Sequence, residues 1–141
     1  MSATVNELVH ALQTARSEAI KRALPVTLCT SAAPLASDAR CDGAGYADGW
    51  IVYADADRDG ARGPAEALIL QAEPRSPAFS FDPSATFAER VTFDDGGGSA
   101  NIAGVPLSGT IGIDWADQER RVVRVAANGR VSSLNPDGVT P

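Results

Sequence analysis

Histidine occurs once in this sequence, at His10, and cysteine twice, at Cys29 and Cys41. No second Cys/His cluster exists, so a thiolate- or imidazole-rich zinc centre is excluded. Nor do these residues offer a nucleophile, base and orienting group together, and no catalytic residue is assigned. No run of about 18 apolar residues is present, so no segment here spans a bilayer as a helix. No charged-then-apolar leader opens the chain, and "MSA" at its start reads as the beginning of a piece of a longer protein. Internal repeats are also missing.

Positive charge is scarce and unevenly placed. The formal net charge is -6. Residues before 120 carry 8 basic and 17 acidic side chains, a net of -9, whereas 120–134 hold Arg120, Arg121, Arg124 and Arg130 and no acid, a net of +4. Such asymmetry is open to two readings: a polyanion-binding edge on an otherwise repelling protein, or arginines on the solvated face of a hairpin. The cysteine pair has two readings as well. A disulfide closing "TSAAPLASDAR" would contribute about 3 kcal/mol and implies an oxidising compartment such as the periplasm; the other reading is two free buried thiols in a cytosolic protein.

The 141 residues suffice for one domain with a real core. Residues 4–23 read as a helix, with Val5, Leu8, Val9, Leu12, Ala15, Ala19, Ile20 and Ala23 making one apolar stripe at spacings of three and four. Pro25 ends it. Short β segments follow, near 26–29, 50–54, 67–71, 78–81, 91–93, 110–115, 121–126 and 130–133, with "ANGR" at 127–130 as a hairpin signal. "DDGGGSANIAGVPLSG" reads as a loop. One helix followed only by strands predicts an α+β fold, the N-terminal amphipathic helix packed on an antiparallel β-sheet or β-sandwich head. The division expected is helix over 1–24 and β-rich head over 25–141.

"DADRDGARGPAE" (55–66) has the D-x-D-x-D-G-x5-E spacing of a calcium loop, with Asp55, Asp57, Asp59 and Glu66 as oxygen ligands suited to a hard cation. An EF-hand needs an entering helix, however, and "WIVYAD" reads as a strand. The segment is most simply a β-hairpin connection whose aspartates suit a solvated turn. Calcium held by a hairpin loop is the remaining cofactor expectation, as in a calcium-stabilised extracellular binding module.

"LVHALQTARSEAIKRALPVTLC" resembles the helix-to-strand stretch of the GspH/FimT family of type IV minor pilins and pseudopilins, with its A-R-x-E-A-I-x-R helix and V-x-L-C strand. "DGWIVYADADRDG" is similar to that family's G-W-x-V-F-x-D stretch and Asp-rich turn, and "RVVRVAANGRVSS" to its terminal hairpin. The resemblance covers about residues 5–134. It implies a type IV pilin-like fold, a structural rather than catalytic role, and major and minor pilins as partners. It also implies a route from inner membrane and periplasm to a cell-surface pilus. The full-length protein would be membrane-anchored before assembly, and this chain its soluble part, lacking the apolar half of the helix. A minor pilin in the tip or priming complex of a type IV pilus is the function expected, with a GspH-type pseudopilin of type II secretion as the alternative. Some FimT-type pilins are implicated in DNA uptake during natural transformation through a terminal G-R-x-R. Gly129 and Arg130 match it, while Ser132 stands where the second arginine would be. Weak, sequence-independent contact with double-stranded DNA would then rest on Arg120, Arg121, Arg124 and Arg130, with phosphates needing charge rather than one fixed geometry.

Overall fold

Helix α1 (Ser2–Arg22) buries one long stripe, as its spacing requires: Val5, Leu8, Ala11, Leu12, Ala15 and Ala19 are all within 1% of complete burial. It belongs to a computed structural model that describes residues 2–37, 39–42, 45–56, 62, 66–74, 79–88, 90–100, 105–115 and 120–134. Two members of the predicted stripe depart from it. Ile20 is half exposed, because by the last turn the stripe has drifted off the core axis. Ala23 lies outside the helix in the left-handed region (φ 56) and is exposed. There it closes the helix, with the Leu24 N–H donating to the Ala19 carbonyl at 3.3 Å, the six-to-one bond of a Schellman cap. Leu24 then folds back onto the core.

The chain after Pro25 forms nine strands among the described residues, in two antiparallel sheets. The first runs β3 (Leu68–Gln71), β2 (Trp50–Ala54), β1 (Val26–Thr30), β5 (Arg90–Phe93), β6 (Ser99–Ala100). The second runs β4 (Phe79–Pro83), β7 (Gly109–Trp115), β8 (Arg121–Val125), β9 (Val131–Leu134). Helix α1 packs across both, against β1, β2 and β5 on one side and β8 and β9 on the other. This is the α+β architecture that one helix followed by strands implies. β6 is an addition: the first part of the predicted loop turns back beside β5, and Ala100 bridges Pro106.

Strands β1 and β2 are buried at every position, which an alternating strand does not achieve unless both faces are covered. One face, with Val26, Leu28, Trp50 and Val52, joins the main core under α1. The other, with Cys29, Ile51 and Tyr53, is roofed by the loop after β1. A disulfide between Cys29 and Cys41 (Cα–Cα 5.5 Å) holds that loop down, so the thiol reading does not apply. Side chains from beyond the loop fasten it further. Gln71 Nε2 donates to the Pro34 and Ala36 carbonyls at 2.8 Å each, and an Arg62 terminal nitrogen donates to the Ala39 carbonyl at 3.1 Å.

The sheets meet through aromatics. Tyr46, in a short 3-10 turn (Tyr46–Asp48), stacks on Phe81 of β4 with centroids 6.0 Å apart, and Trp50 of β2 meets the same Phe81 edge-on at 6.3 Å. The Tyr46 hydroxyl donates to the Phe87 carbonyl at 2.7 Å.

Candidate binding surface at the C-terminal hairpin

The arginine-rich hairpin is closed by three residues, Ala127, Asn128 and Gly129. Ala126 N–H donates to the Arg130 carbonyl at 3.0 Å, and Gly129 N–H to the Ala126 carbonyl at 2.8 Å. Only Gly129 has a positive φ here (87), so this is a type I turn with a glycine bulge and not a two-residue Asn-Gly turn, which needs two positive φ values. Asn128 Oδ1 caps it by accepting from the Arg130 N–H at 3.0 Å.

Gly129 is buried against the carbonyl of Gly97, in the β5–β6 turn, so closely that no Cβ has room. The Ser99 N–H donates to the Ala127 carbonyl at 3.1 Å and ties the two turns together. Arg16 of α1 completes the junction, its Nε donating to the Gly97 carbonyl at 3.0 Å. Helix and both sheets therefore converge on Gly97 and Gly129.

The four hairpin arginines sit in different places. Arg120 lies on the outer face of the second sheet, where it makes a two-pronged pair with Asp114 (3.0 and 2.7 Å) and a further bond to Asp82 at 3.1 Å. Gly112 leaves the space for it, since a Cβ there would meet its guanidinium at 3.1 Å. The hydrogen bond from Arg120 holds the Asp114 carboxyl below the ordinary carboxylate range, and the two aspartates raise the Arg120 guanidinium further. Arg121 follows the inward parity of Val123 and Val125, is half-buried, and donates to Ser133 Oγ at 3.0 Å. Arg124, three residues on, takes the opposite parity and is exposed. Arg130 is exposed too, one diagonal step from Arg124, because Arg124 pairs with Ser132 and Ala126 with Arg130. Neither Arg124 nor Arg130 forms an ion pair among the described residues. The structure thus groups Arg124 with Arg130 and commits Arg120 and Arg121 elsewhere.

Of the calcium candidates, Asp57 and Asp59 lie outside the described residues. Asp55 is fully buried at the end of β2, accepting from the Thr27 hydroxyl at 3.1 Å, and that hydroxyl also meets the Thr92 hydroxyl at 2.7 Å. The Glu66 carbonyl accepts from Arg62 Nε at 3.1 Å. Among the described residues no three His, Cys, Asp or Glu side chains stand close enough to share a metal.

Arg16 lies off the apolar stripe expected of α1 and was not among the candidate site residues. Its position four residues after buried Leu12 and three before buried Ala19 puts it at the edge of the stripe, where a long side chain reaches along the core surface.

The profile of the family described as "Type II transport protein GspH" matches residues 4–129. The chain belongs to the GspH family. It is similar in fold to the type IV minor pilin FimU of Pseudomonas aeruginosa (strain PAO1) in two crystal forms. For one the TM-score is 0.66 at 19% identity, covering 100% of this chain and 97% of FimU; for the other it is 0.66 at 20%, covering 99% and 91%. No curated protein sequence matches. The GspH/FimT resemblance and the helix-plus-two-sheet pilin fold therefore both hold. The family match stops at Gly129, one residue before Arg130, so it does not reach that arginine. No helix among the described residues is long and apolar enough to cross a membrane.

Proposed function

We propose that this GspH-family chain is the head of a minor pilin of a type IV pilus, working by docking onto other pilins. The observation carrying this reading is that the fold of FimU is reproduced over essentially the full length of both chains. Function then resides in surfaces: α1 presents its uncovered side to neighbouring helices and the two-sheet head supplies lateral contacts. The full-length protein is anchored in the inner membrane before assembly and displayed in the filament afterwards. Deleting the full-length gene tests it. Loss of surface pili and twitching with unchanged protein secretion supports the reading; normal piliation with a loss of type II secreted proteins assigns the subunit to a secretion pseudopilus.

A second reading, contact with DNA, is favoured by Arg124 and Arg130 standing exposed and adjacent without an acidic partner among the described residues. Contacts would be to phosphates, without sequence preference and steeply weakened by salt. Replacing both arginines by glutamine should abolish the retardation of a DNA duplex at low salt; unchanged retardation would sink this reading.

A further inference from the structure

Strand β3 is the outermost strand of the first sheet, and between it and the first half of α1 lies a cleft of about 440 Å³. Glu7 and His10 line it from the helix, Leu70 and Ala72 from β3 and its end, and Glu73 and Pro74 from the chain just beyond. The Ala72 N–H donates to the Trp50 carbonyl at 2.9 Å, so Glu73 projects from backbone that the sheet holds in place. Both glutamates are exposed, and no lysine or arginine among the described residues lines the cleft. It is a hollow with an apolar floor and an acidic rim. At the opposite edge of the same sheet, beside β6, stands the arginine hairpin, tied there by the Ser99 N–H on the Ala127 carbonyl. Ala127, Asn128 and Arg130 are exposed at its tip, and Arg124 is exposed on the same outer face. One edge of the head therefore carries a concave acidic feature and the other a convex basic one.

We propose that the acid-rimmed cleft is a docking site for the arginine hairpin of a second copy of this chain. The inference rests on the pilin reading and names a partner for its head. Charge complementarity selects the occupant. Two copies of net charge -6 repel in most orientations, and the hairpin is the one stretch of net charge +4 that each can turn toward the other's glutamates. The guanidinium groups of Arg124 and Arg130 suit the carboxylates of Glu7 and Glu73, and the aliphatic part of an arginine side chain suits a floor of Leu70, Ala72 and Pro74. Position excludes a contact within one molecule, since cleft and hairpin occupy opposite edges of the first sheet. The two are also offset along the helix. Arg16, beside the hairpin turn, follows Glu7 by nine residues, about 14 Å of helix. A contact between two different patches is heterologous: each pair of copies keeps one cleft and one hairpin unused, so the contact can extend as a stagger along α1.

The test is sedimentation equilibrium of the chain at concentrations up to about 1 mM, where a small contact of this kind becomes visible. It compares the wild type with Glu73→Arg, with Arg130→Glu, and with an equimolar mixture of the two variants, each checked by melting. Both positions are exposed, and Glu7→Arg and Arg124→Glu stand in should either variant fail to fold. Wild type should self-associate, and each reversal alone should weaken this roughly tenfold, because it sets like charge against like. The mixture should recover association. Glu73→Arg keeps the hairpin and Arg130→Glu keeps the cleft, so one native contact forms between the two variants. A wild type that stays monomeric, as it would if the cleft received another pilin instead, overturns the proposal. So do reversals without effect, and so does a loss that mixing fails to restore. Self-association needs no filament and answers to this contact alone, whereas piliation after gene deletion answers to the pilin reading alone.

Discussion

Gly129 and Arg120 show how differently two residues of one hairpin are constrained. At Gly129 the backbone needs a positive φ, and the Gly97 carbonyl occupies the space of a Cβ. Gly129→Ala must therefore either reshape the turn or push the two hairpins apart. We expect a loss of about 2–4 kcal/mol in urea unfolding, with the slope unchanged. Arg120 is the opposite case: it makes close ion contacts with two aspartates of the second sheet, yet its side chain is 42% exposed and solvent screens them. Arg120→Gln should leave the melting temperature within about 3 °C. Its effect belongs to Asp114, whose carboxyl titrates below the ordinary range because Arg120 bonds its charged form. Removing that bond should return Asp114 to the ordinary range in a carbon-detected NMR titration; an unmoved titration would show that Arg120 is not the cause.

Elements set by local pattern were legible in the sequence. Helix α1 and the principal strands followed from stripes, alternation and the breakers between them, within two residues at their ends. Features set by what lies on the far side of an element were not. The wholly buried β1 and β2 read as strands, but nothing local said that the 31–42 loop would roof their outer face. β6, two residues long, is defined by β5 and by the bridge to Pro106 rather than by its own composition. For the candidate site, charge density found the hairpin, while parity and partners separated Arg124 and Arg130 from Arg120 and Arg121, and only tertiary contact revealed Arg16. The roof also makes a prediction at this scale. Replacing both Cys29 and Cys41 by alanine removes the constraint on the unfolded chain, for a loss of about 3 kcal/mol. Because Tyr53 donates to Cys41 Sγ at 3.6 Å and lies wholly under the loop, its fluorescence and hydrogen exchange should report loosening of the roof ahead of global unfolding. Global and local transitions that remain superimposed would show that the loop is held by Gln71 and Arg62 alone.

Across the whole molecule, Tyr46 joins what the topology keeps apart. Its ring touches Trp50 of the first sheet and Phe81 of the second, and its hydroxyl is satisfied by the Phe87 carbonyl in the second 3-10 turn (Ala85–Phe87). Complete burial raises its pKa well above the ordinary 10.0, an effect that the nearby Arg90 charge only partly offsets. In the unfolded chain the same hydroxyl ionises near pH 10. Above that pH the unfolded state loses a proton that the folded state keeps, so stability is fully present below about pH 10 and falls as pH rises further. Tyr46→Phe removes this dependence but leaves the Phe87 carbonyl without its donor, costing about 1–3 kcal/mol at neutral pH. Wild type should thus be the more stable at pH 7, with the gap to Tyr46→Phe narrowing steadily between pH 10 and pH 12 in urea unfolding. Should the gap stay constant over that range, Tyr46 ionises as freely folded as unfolded, and the seam between the sheets is open to water.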